Sequence, residues 1–255
     1  MLKTILTAAL ALGLPATGLA QTVDELVARN IAARGGAEAW RAVSSLRLSG
    51  RMDVGQGMRV PYVLEQKRPN KMRLELVFDG QTAVQCVDGK AGWKLMPFLG
   101  RTTPTPMTEE ELREAAESAD LYPLLLDYAA RGHVVELLGQ VQVKGRDAFK
   151  LKVTLPGGAV RWVFLDAESG LEVKIEAMRT IAGRTQSIRT FYHDWQSVDG
   201  ILISHRQETR VVDDEGEFHL LTVDTVFVNP PIDDARFTLS ASNGAVRGPA
   251  TEMAS

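Results

Sequence analysis

Histidine is the residue type in this sequence best suited to acid–base chemistry or metal binding, and the chain has four: His133, His193, His205 and His219. No two of them are spaced two or four residues apart, and none lies near the single cysteine, Cys86. A zinc site needs three or four such ligands around one ion. The spacing therefore predicts no metal site and no cofactor, and we expect histidines on the surface or on a sheet face.

Nucleophilic and carboxylate chemistry is also poorly supported by the sequence. The Gly-x-Ser-x-Gly pattern of a hydrolase nucleophile does not occur. Acidic clusters at residues 109–111 and 213–215 are explained by a helix N-terminus and a hairpin turn. Paired acids for glycoside hydrolysis stay open as an alternative, because a single sequence does not exclude them. We therefore predict no catalytic residue and no enzyme.

Charge and cysteine content narrow the class of protein further. The formal net charge is −3, whereas nucleic acids and anionic membrane surfaces both attract strongly basic proteins. With Cys86 alone, no intramolecular disulfide can form, and its strand-like surroundings predict that the thiol is buried in the core. Core packing must then supply the stability, and 45% of the residues are hydrophobic.

The N-terminal residues have the pattern of a secretory signal peptide at residues 1–20. Lys3 precedes an apolar run at 4–14, and Gly18 and Ala20 occupy the −3 and −1 positions of a cleavage site. A retained membrane anchor is the weaker interpretation, because the apolar run is too short to span a bilayer. We expect a protein secreted out of the cytoplasm, with a single domain at residues 21–240 and a disordered tail at 241–255.

Caps and apolar spacing predict the helices. Thr22 and Glu25 form a capping box ahead of apolar residues at helical spacing, and a second short helical piece is expected at 37–43. Another capping box, at Thr108 and Glu111, predicts a helix of about three turns.

In the rest of the chain the apolar period changes from 3.6 to 2, which indicates strands. Short turns join about eleven of them, and residues 103–106 (TPTP) are expected to break the pattern. Short connections favour antiparallel neighbours, and so large a sheet must curl. The prediction is a mainly β fold: a large, strongly curved antiparallel sheet with a few helices covering its concave side. The concave face is assigned only from the apolar character of its residues.

Residues 121–128 (LYPLLLDY) form an unusually apolar segment, predicted to be a short helix with Pro123 in its first turn. Two interpretations stay open. The segment plugs the core, or it forms a lid over a cavity for an acyl chain. Burial of each methylene group contributes about 0.8 kcal/mol, so an apolar cavity holds such a chain with few polar contacts.

Six segments spread over the chain resemble a known family in their order and residues. They lie at 34–40 (RGGAEAW), 45–50 (SLRLSG), 92–100 (GWKLMPFLG), 119–124 (ADLYPL), 165–174 (LDAESGLEVK) and 194–205 (DWQSVDGILISH). In this respect the sequence is similar to the LolA/LolB-like outer-membrane lipoprotein-sorting proteins. The resemblance implies an unclosed antiparallel barrel with helices in its mouth, which carries lipoproteins or other lipids through the periplasm. It also implies an arginine inside the cavity that holds the lid helices. Arg47 and Arg51 are the candidates, although both could equally face solvent.

Together these observations predict a non-catalytic periplasmic carrier or binding protein for lipid or lipoprotein acyl chains, expected to be a monomer. An inner- or outer-membrane protein is a further possible partner. The predicted cavity is lined by Met72, Leu74, Leu76, Phe149, Leu151, Val153, Trp162 and Phe164. The predicted lid consists of Leu121, Leu124, Leu125 and Tyr128, with Trp93 and Phe98 near its hinge.

Two other classes of function stay open. The same half-barrel serves in sensor domains, so a sensor of misplaced lipoproteins or envelope damage, or an interaction module, is the first alternative. A hydrolase of envelope material is the second, and it would need titratable groups that converge in the cavity. Neither the identity of the lipid nor the choice between transfer and sensing follows from the sequence.

Overall fold

The computed structural model describes residues 21–53, 57–181, 184–212 and 218–239. The signal peptide predicted at 1–20 and the tail predicted at 241–255 lie outside these residues. The division into a single domain at 21–240 stays a prediction.

Helices form where the capping residues predict them. Helix α1 (Val23–Ala33) begins after Thr22 and α3 (Glu109–Ala119) after Thr108, each with a complete capping box. A short helix α2 (Ala37–Arg41) lies between α1 and the first strand. Two single-turn 3-10 helices occupy Pro97–Leu99 and Asp234–Phe237. Within the described ranges, every helix is too short or too polar to cross a membrane.

The strands belong to one sheet. In the described residues there are thirteen: β1 (Ser45–Asp53), β2 (Arg59–Lys67), β3 (Lys71–Phe78), β4 (Gln81–Asp88), β5 (Gly92–Met96), β6 (Arg101–Pro106), β7 (Val134–Val143), β8 (Arg146–Thr154), β9 (Val160–Asp166), β10 (Glu172–Ile181), β11 (Arg184–Val198), β12 (Ile201–Val211) and β13 (Phe218–Val228). Their order is β6-β5-β4-β3-β2-β1-β13-β12-β11-β10-β9-β8-β7, and all the pairs are antiparallel. The predicted antiparallel, unclosed sheet is confirmed.

The two strands beyond the predicted eleven are the edges of the sheet. Strand β6 contains the TPTP segment that was expected to break the pattern. An edge strand tolerates Pro104 and Pro106 because one side of it has no ladder hydrogen bonds to make. Strand β7, at the other edge, alternates exposed and partly buried positions, and its apolar residues Val135, Leu137, Val141 and Val143 follow that alternation.

The sheet curves around α3. The Gln66 side chain of β2 donates to the carbonyl of Ser118, while Arg161 of β9 pairs with Glu117. Strands β1, β13, β12, β11 and β10 lie between β2 and β9 in the sheet. In a flat sheet β2 and β9 would be roughly 29 Å apart, at ~4.8 Å per strand. Because a helix is only ~10 Å wide, α3 contacts both strands only if the sheet curves. We call the side that faces α3 the concave side.

Residues 120–133, which connect α3 to β7, form consecutive turns instead of the predicted helix at 121–128. The prediction was wrong because Asp127 adopts a left-handed conformation (φ 51°), which interrupts an α-helix. Arg41 of α2 holds the Asp127 carboxylate at 2.6 Å. The segment packs with α1, α2 and the concave side in the largest buried cluster, which includes Leu26, Ile31, Trp40, Leu48, Leu125, Leu151, Val163 and Ile203.

Candidate functional site

The strand register shows which predicted cavity residues share the concave side. On β3, Met72, Leu74 and Leu76 lie opposite Gln66, Leu64 and Tyr62 of β2, and Met72 and Leu74 border a cavity beneath α3. On β8, the side chains of Phe149, Leu151 and Val153 belong to the largest buried cluster, together with Leu46 and Leu48. These six predicted positions therefore lie on one continuous face.

Trp162 and Phe164 lie on the opposite, convex side. They pair with Lys152 and Lys150, which alternate with the concave residues of β8. Phe164 is buried against Val143 and Ala148, and the Lys174 ammonium lies 3.7 Å from the centre of its ring. The assignment of both aromatic residues to the same face as Leu151 was wrong, because the register across the β8–β9 turn was not known from the sequence.

Trp93 is also a convex-side residue. It lies opposite Cys86 and clusters with Phe237 of the second 3-10 helix, away from the predicted hinge. Cys86 is completely buried, as expected, and burial raises the pKa of its thiol to about 11. Phe98 is 38% exposed and packs edge-on against Phe78.

The apolar segment at 121–128 contributes to the core. Leu121 and Leu125 are buried in the largest cluster, and Leu124 packs partly against it. The Tyr128 hydroxyl donates to the carboxylate of Asp24 in α1 at 2.6 Å. Of the two interpretations left open by the sequence, the geometry matches the plug.

Helix α3 covers the concave side and is tethered to it by charge. Glu111, Glu114 and Glu117 are spaced three residues apart, which brings them to one side of the helix. Glu111 pairs with Lys94 of β5, and Glu114 lies 3.6 Å from Arg179 of β10. Glu117 pairs with Arg161 of β9 and lies 3.5 Å from Arg179. The tethers therefore reach strands on both sides of the curved sheet.

Apolar anchoring of α3 is slight by comparison. Its buried residues are Ala115 and Ala119, which pack against Met72 and Val87, and Leu112 packs partly against the same cluster. Each alanine removes only one methyl group from water, which contributes about 0.8 kcal/mol. Apart from the partly buried Leu112, apolar packing therefore contributes little to holding α3 against the sheet.

Two cavities flank α3. The first, about 390 Å³, is the methionine cavity, bordered by Met52, Tyr62, Leu64, Met72, Leu74 and Met107. The second, about 650 Å³, is the arginine cavity, bordered by Arg131, Arg161, Arg179, Leu124, Leu155 and Ile175. Arg179 and Ser118 border both, so α3 separates two parts of one concave surface. A third, apolar groove between α1 and residues 125–130 shares no lining residue with either cavity.

The interior arginines are Arg161 and Arg179, which the sequence analysis missed. Arg47, one of the two candidates, pairs with the buried Glu65 on the convex side, and Arg51 is exposed. A signal existed in the strand pattern, because Arg179 continues the alternation of Ile175 and Ala177. Arg161 lies directly opposite Val153 and Ala177, at a position where the neighbours are apolar.

A polar group without a protein partner lies at the methionine cavity. Tyr62 is 2% exposed, and its hydroxyl makes no hydrogen bond within the described part of the chain. Burial raises the pKa of this phenol, which therefore stays protonated and able to donate a hydrogen bond.

These features define a class of protein: an unclosed antiparallel barrel whose apolar concave side is covered by a charge-tethered helix. Among the described residues there is no cluster of side chains that could hold a metal ion. No family model matches the sequence, and the curated proteins contain no similar sequence.

Solved structures identify the fold more closely. A LolA superfamily protein from Nitrosomonas europaea is similar over 86% of this chain and 99% of its own, with TM-score 0.56 and 13% identity. A DUF1329 family protein from Desulfovibrio piger matches 85% of this chain and 97% of its own, with TM-score 0.58 and 12% identity. A domain described as an outer-membrane lipoprotein-sorting protein, from Vibrio parahaemolyticus, matches 83% and 97%, with TM-score 0.54 and 12% identity. The chain thus has the LolA-like fold, and the resemblance seen in the sequence is confirmed at that level.

Proposed function

We propose that this protein is a non-catalytic carrier or binding protein for the acyl chains of a lipid or lipoprotein, acting in the periplasm. The acyl chain lies between α3 and the concave side, where Met72, Leu74 and Leu76 line one part and Phe149, Leu151 and Val153 belong to the apolar floor. The LolA-like fold supports this proposal, as does the lipoprotein-sorting description of the Vibrio neighbour.

The observation that carries the proposal is the way α3 is held. The partly exposed ion pairs of α3 contribute about 0–1 kcal/mol each. The helix also packs Ala115, Ala119 and part of Leu112 against the sheet. Its pair between Glu117 and the buried Arg161 is costly to break unless another anion replaces the carboxylate. An acyl chain that buries about ten methylene groups gains on the order of 8 kcal/mol. This gain is comparable with the interactions that hold α3, whereas displacement of the buried segment at 121–128 would disrupt the core.

In this proposal α3 takes the role of the lid that the sequence analysis gave to residues 121–128. The arginine that holds the lid, implied by the family resemblance, corresponds to Arg161 and Arg179. Tyr62 supplies a hydrogen-bond donor to a polar atom of the ligand within the methionine cavity.

Native mass spectrometry of the mature protein, purified from its own periplasm, tests the proposal. We expect acyl-containing species to co-purify in about one-to-one amounts, and a fluorescent fatty acid to bind the delipidated protein. An empty protein that also fails to bind the fatty acid would contradict the proposal and favour an interaction module.

A pair of variants on one strand locates the site. Leu74→Asp places a charge in the methionine cavity and should abolish binding of the fluorescent fatty acid, because a carboxylate in an apolar cavity is costly. Val77→Asp, three residues along β3 and on its convex side, is the matched control and should keep binding. Equal binding by both folded variants would place the ligand elsewhere.

A further inference from the structure

Four arginines border the arginine cavity: Arg113, Arg131, Arg161 and Arg179. Two carboxylates, Glu117 and Asp120, border it with them. Arg131 is fully engaged, since it pairs with Asp120 and donates to the carbonyls of Pro123 and Leu126. Arg113 is exposed at the rim.

Arg161 and Arg179 are left to share the carboxylate of Glu117. Arg161 is in direct contact with it, whereas Arg179 lies 3.5 Å from Glu117 and 3.6 Å from Glu114. The sheet therefore contributes both positive charges of this group, and α3 contributes all of the negative ones.

Because the guanidinium of Arg161 is buried, it needs an anionic partner. The Arg161 side chain is only 8% exposed, and it lies between the apolar positions Val153 and Ala177. A buried guanidinium that loses its carboxylate is strongly destabilised unless another anion replaces it. When α3 moves away, Glu117 leaves with it and both arginines need a new partner.

We propose that the ligand is an anionic amphiphile whose carboxylate or phosphate headgroup replaces the Glu117 carboxylate between Arg161 and Arg179. This inference rests on the proposed function and specifies its ligand. Arg179 borders both cavities, so an acyl chain attached to that headgroup continues beneath α3 into the methionine cavity. On binding, the anionic headgroup of the ligand therefore replaces the carboxylate of Glu117, which moves away with α3.

The test compares a fluorescent long-chain fatty acid with its methyl ester, at a pH where the acid is ionised. The wild-type protein should bind the acid at least about tenfold more tightly than the ester, because only the ionised acid supplies an anionic acceptor to pair with the two guanidinium groups. Glu117→Gln, which removes the competing carboxylate, should tighten binding of the acid more than that of the ester.

Glu110→Gln is the matched control, because it removes one negative charge from an exposed position of the same helix that borders neither cavity. It should change the affinities for acid and ester by the same factor. Arg179→Gln, at a position less buried than Arg161, should abolish the preference for the acid while ester binding persists.

The outcomes separate the two proposals. Equal affinity for acid and ester in the wild-type protein would overturn the anionic headgroup but leave the acyl-chain site intact. Failure to bind either probe would overturn the proposed function itself. Inorganic phosphate should not displace the bound acid, and displacement at similar concentrations would instead indicate a site for a free anion.

Discussion

Removal of the N-cap of α3 tests whether this helix opens locally, without unfolding of the rest of the protein. The Thr108 hydroxyl accepts a hydrogen bond from the amide of Glu111 at 3.2 Å, and the Glu111 side chain accepts one from the amide of Thr108 at 2.9 Å. Thr108→Ala removes the first of these bonds. Loss of a threonine N-cap costs about 1 kcal/mol, which corresponds to a factor of about five in a local opening equilibrium.

Helix α1 offers an unusually close control. Its capping box has the same geometry, with the Thr22 hydroxyl accepting from the amide of Glu25 at 3.2 Å. Unlike α3, however, α1 buries Leu26, Val27 and Ile31 in the largest apolar cluster. Thr22→Ala should therefore lower the free energy of unfolding of the whole protein by about 1 kcal/mol, because α1 opens only when the core does.

Amide hydrogen exchange and urea unfolding, measured on the same variants, distinguish local opening of α3 from unfolding of the whole protein. In Thr108→Ala we expect exchange of the α3 amides to rise about fivefold, with little change in the sheet or in the urea midpoint. In Thr22→Ala we expect a lower urea midpoint and no selective change in α3. The reasoning is refuted if Thr108→Ala shifts the urea midpoint as much as Thr22→Ala while the α3 amides show no selective increase.

Two further predictions concern titratable groups. The hydrogen bond from Lys94 holds the pKa of Glu111 below its usual value of 4.5, so this tether stabilises the closed lid at higher pH and is lost as the pH falls through the lowered pKa. Protection of the α3 amides, measured as exchange relative to an unfolded peptide at the same pH, should consequently fall below about pH 4.5, and Glu111→Gln should remove that part of the pH dependence. The thiol of Cys86, with a pKa of about 11 and no exposed surface, should be inert to a thiol reagent at neutral pH and react after unfolding; rapid labelling of the folded protein would contradict the burial.

Much of the fold could be predicted because its signals are local. Both capping boxes were recognised from residues three positions apart, and they begin α1 and α3 as expected. Alternating apolar residues and short turns predicted a large, curved antiparallel sheet, and the family resemblance implied that it stays open. The edge strand β6 was missed because its two prolines were expected to break the pattern, whereas an edge strand tolerates them.

The site was predicted only in part, since it depends on strand register. Six of the predicted cavity residues share the concave side, but Trp162 and Phe164 do not, because a shift of one residue in pairing moves a side chain to the opposite face. The apolar residues at 121–128 were recognised as unusual. The prediction that they form a helix was wrong, because Asp127, held by Arg41, adopts a left-handed conformation.

By itself, therefore, the sequence determined periodicity, caps, turns and the general class of fold, since each depends on interactions between residues close in the chain. The tertiary structure alone decided that α3 covers the concave side. Glu117 and Arg161 are 44 residues apart, and nothing local to either one specifies their pairing. Only the curvature of the sheet brings β9 and β10 beneath α3. There Arg161 and Arg179 pair with the acidic residues of α3, and these pairs hold the helix over the apolar concave side.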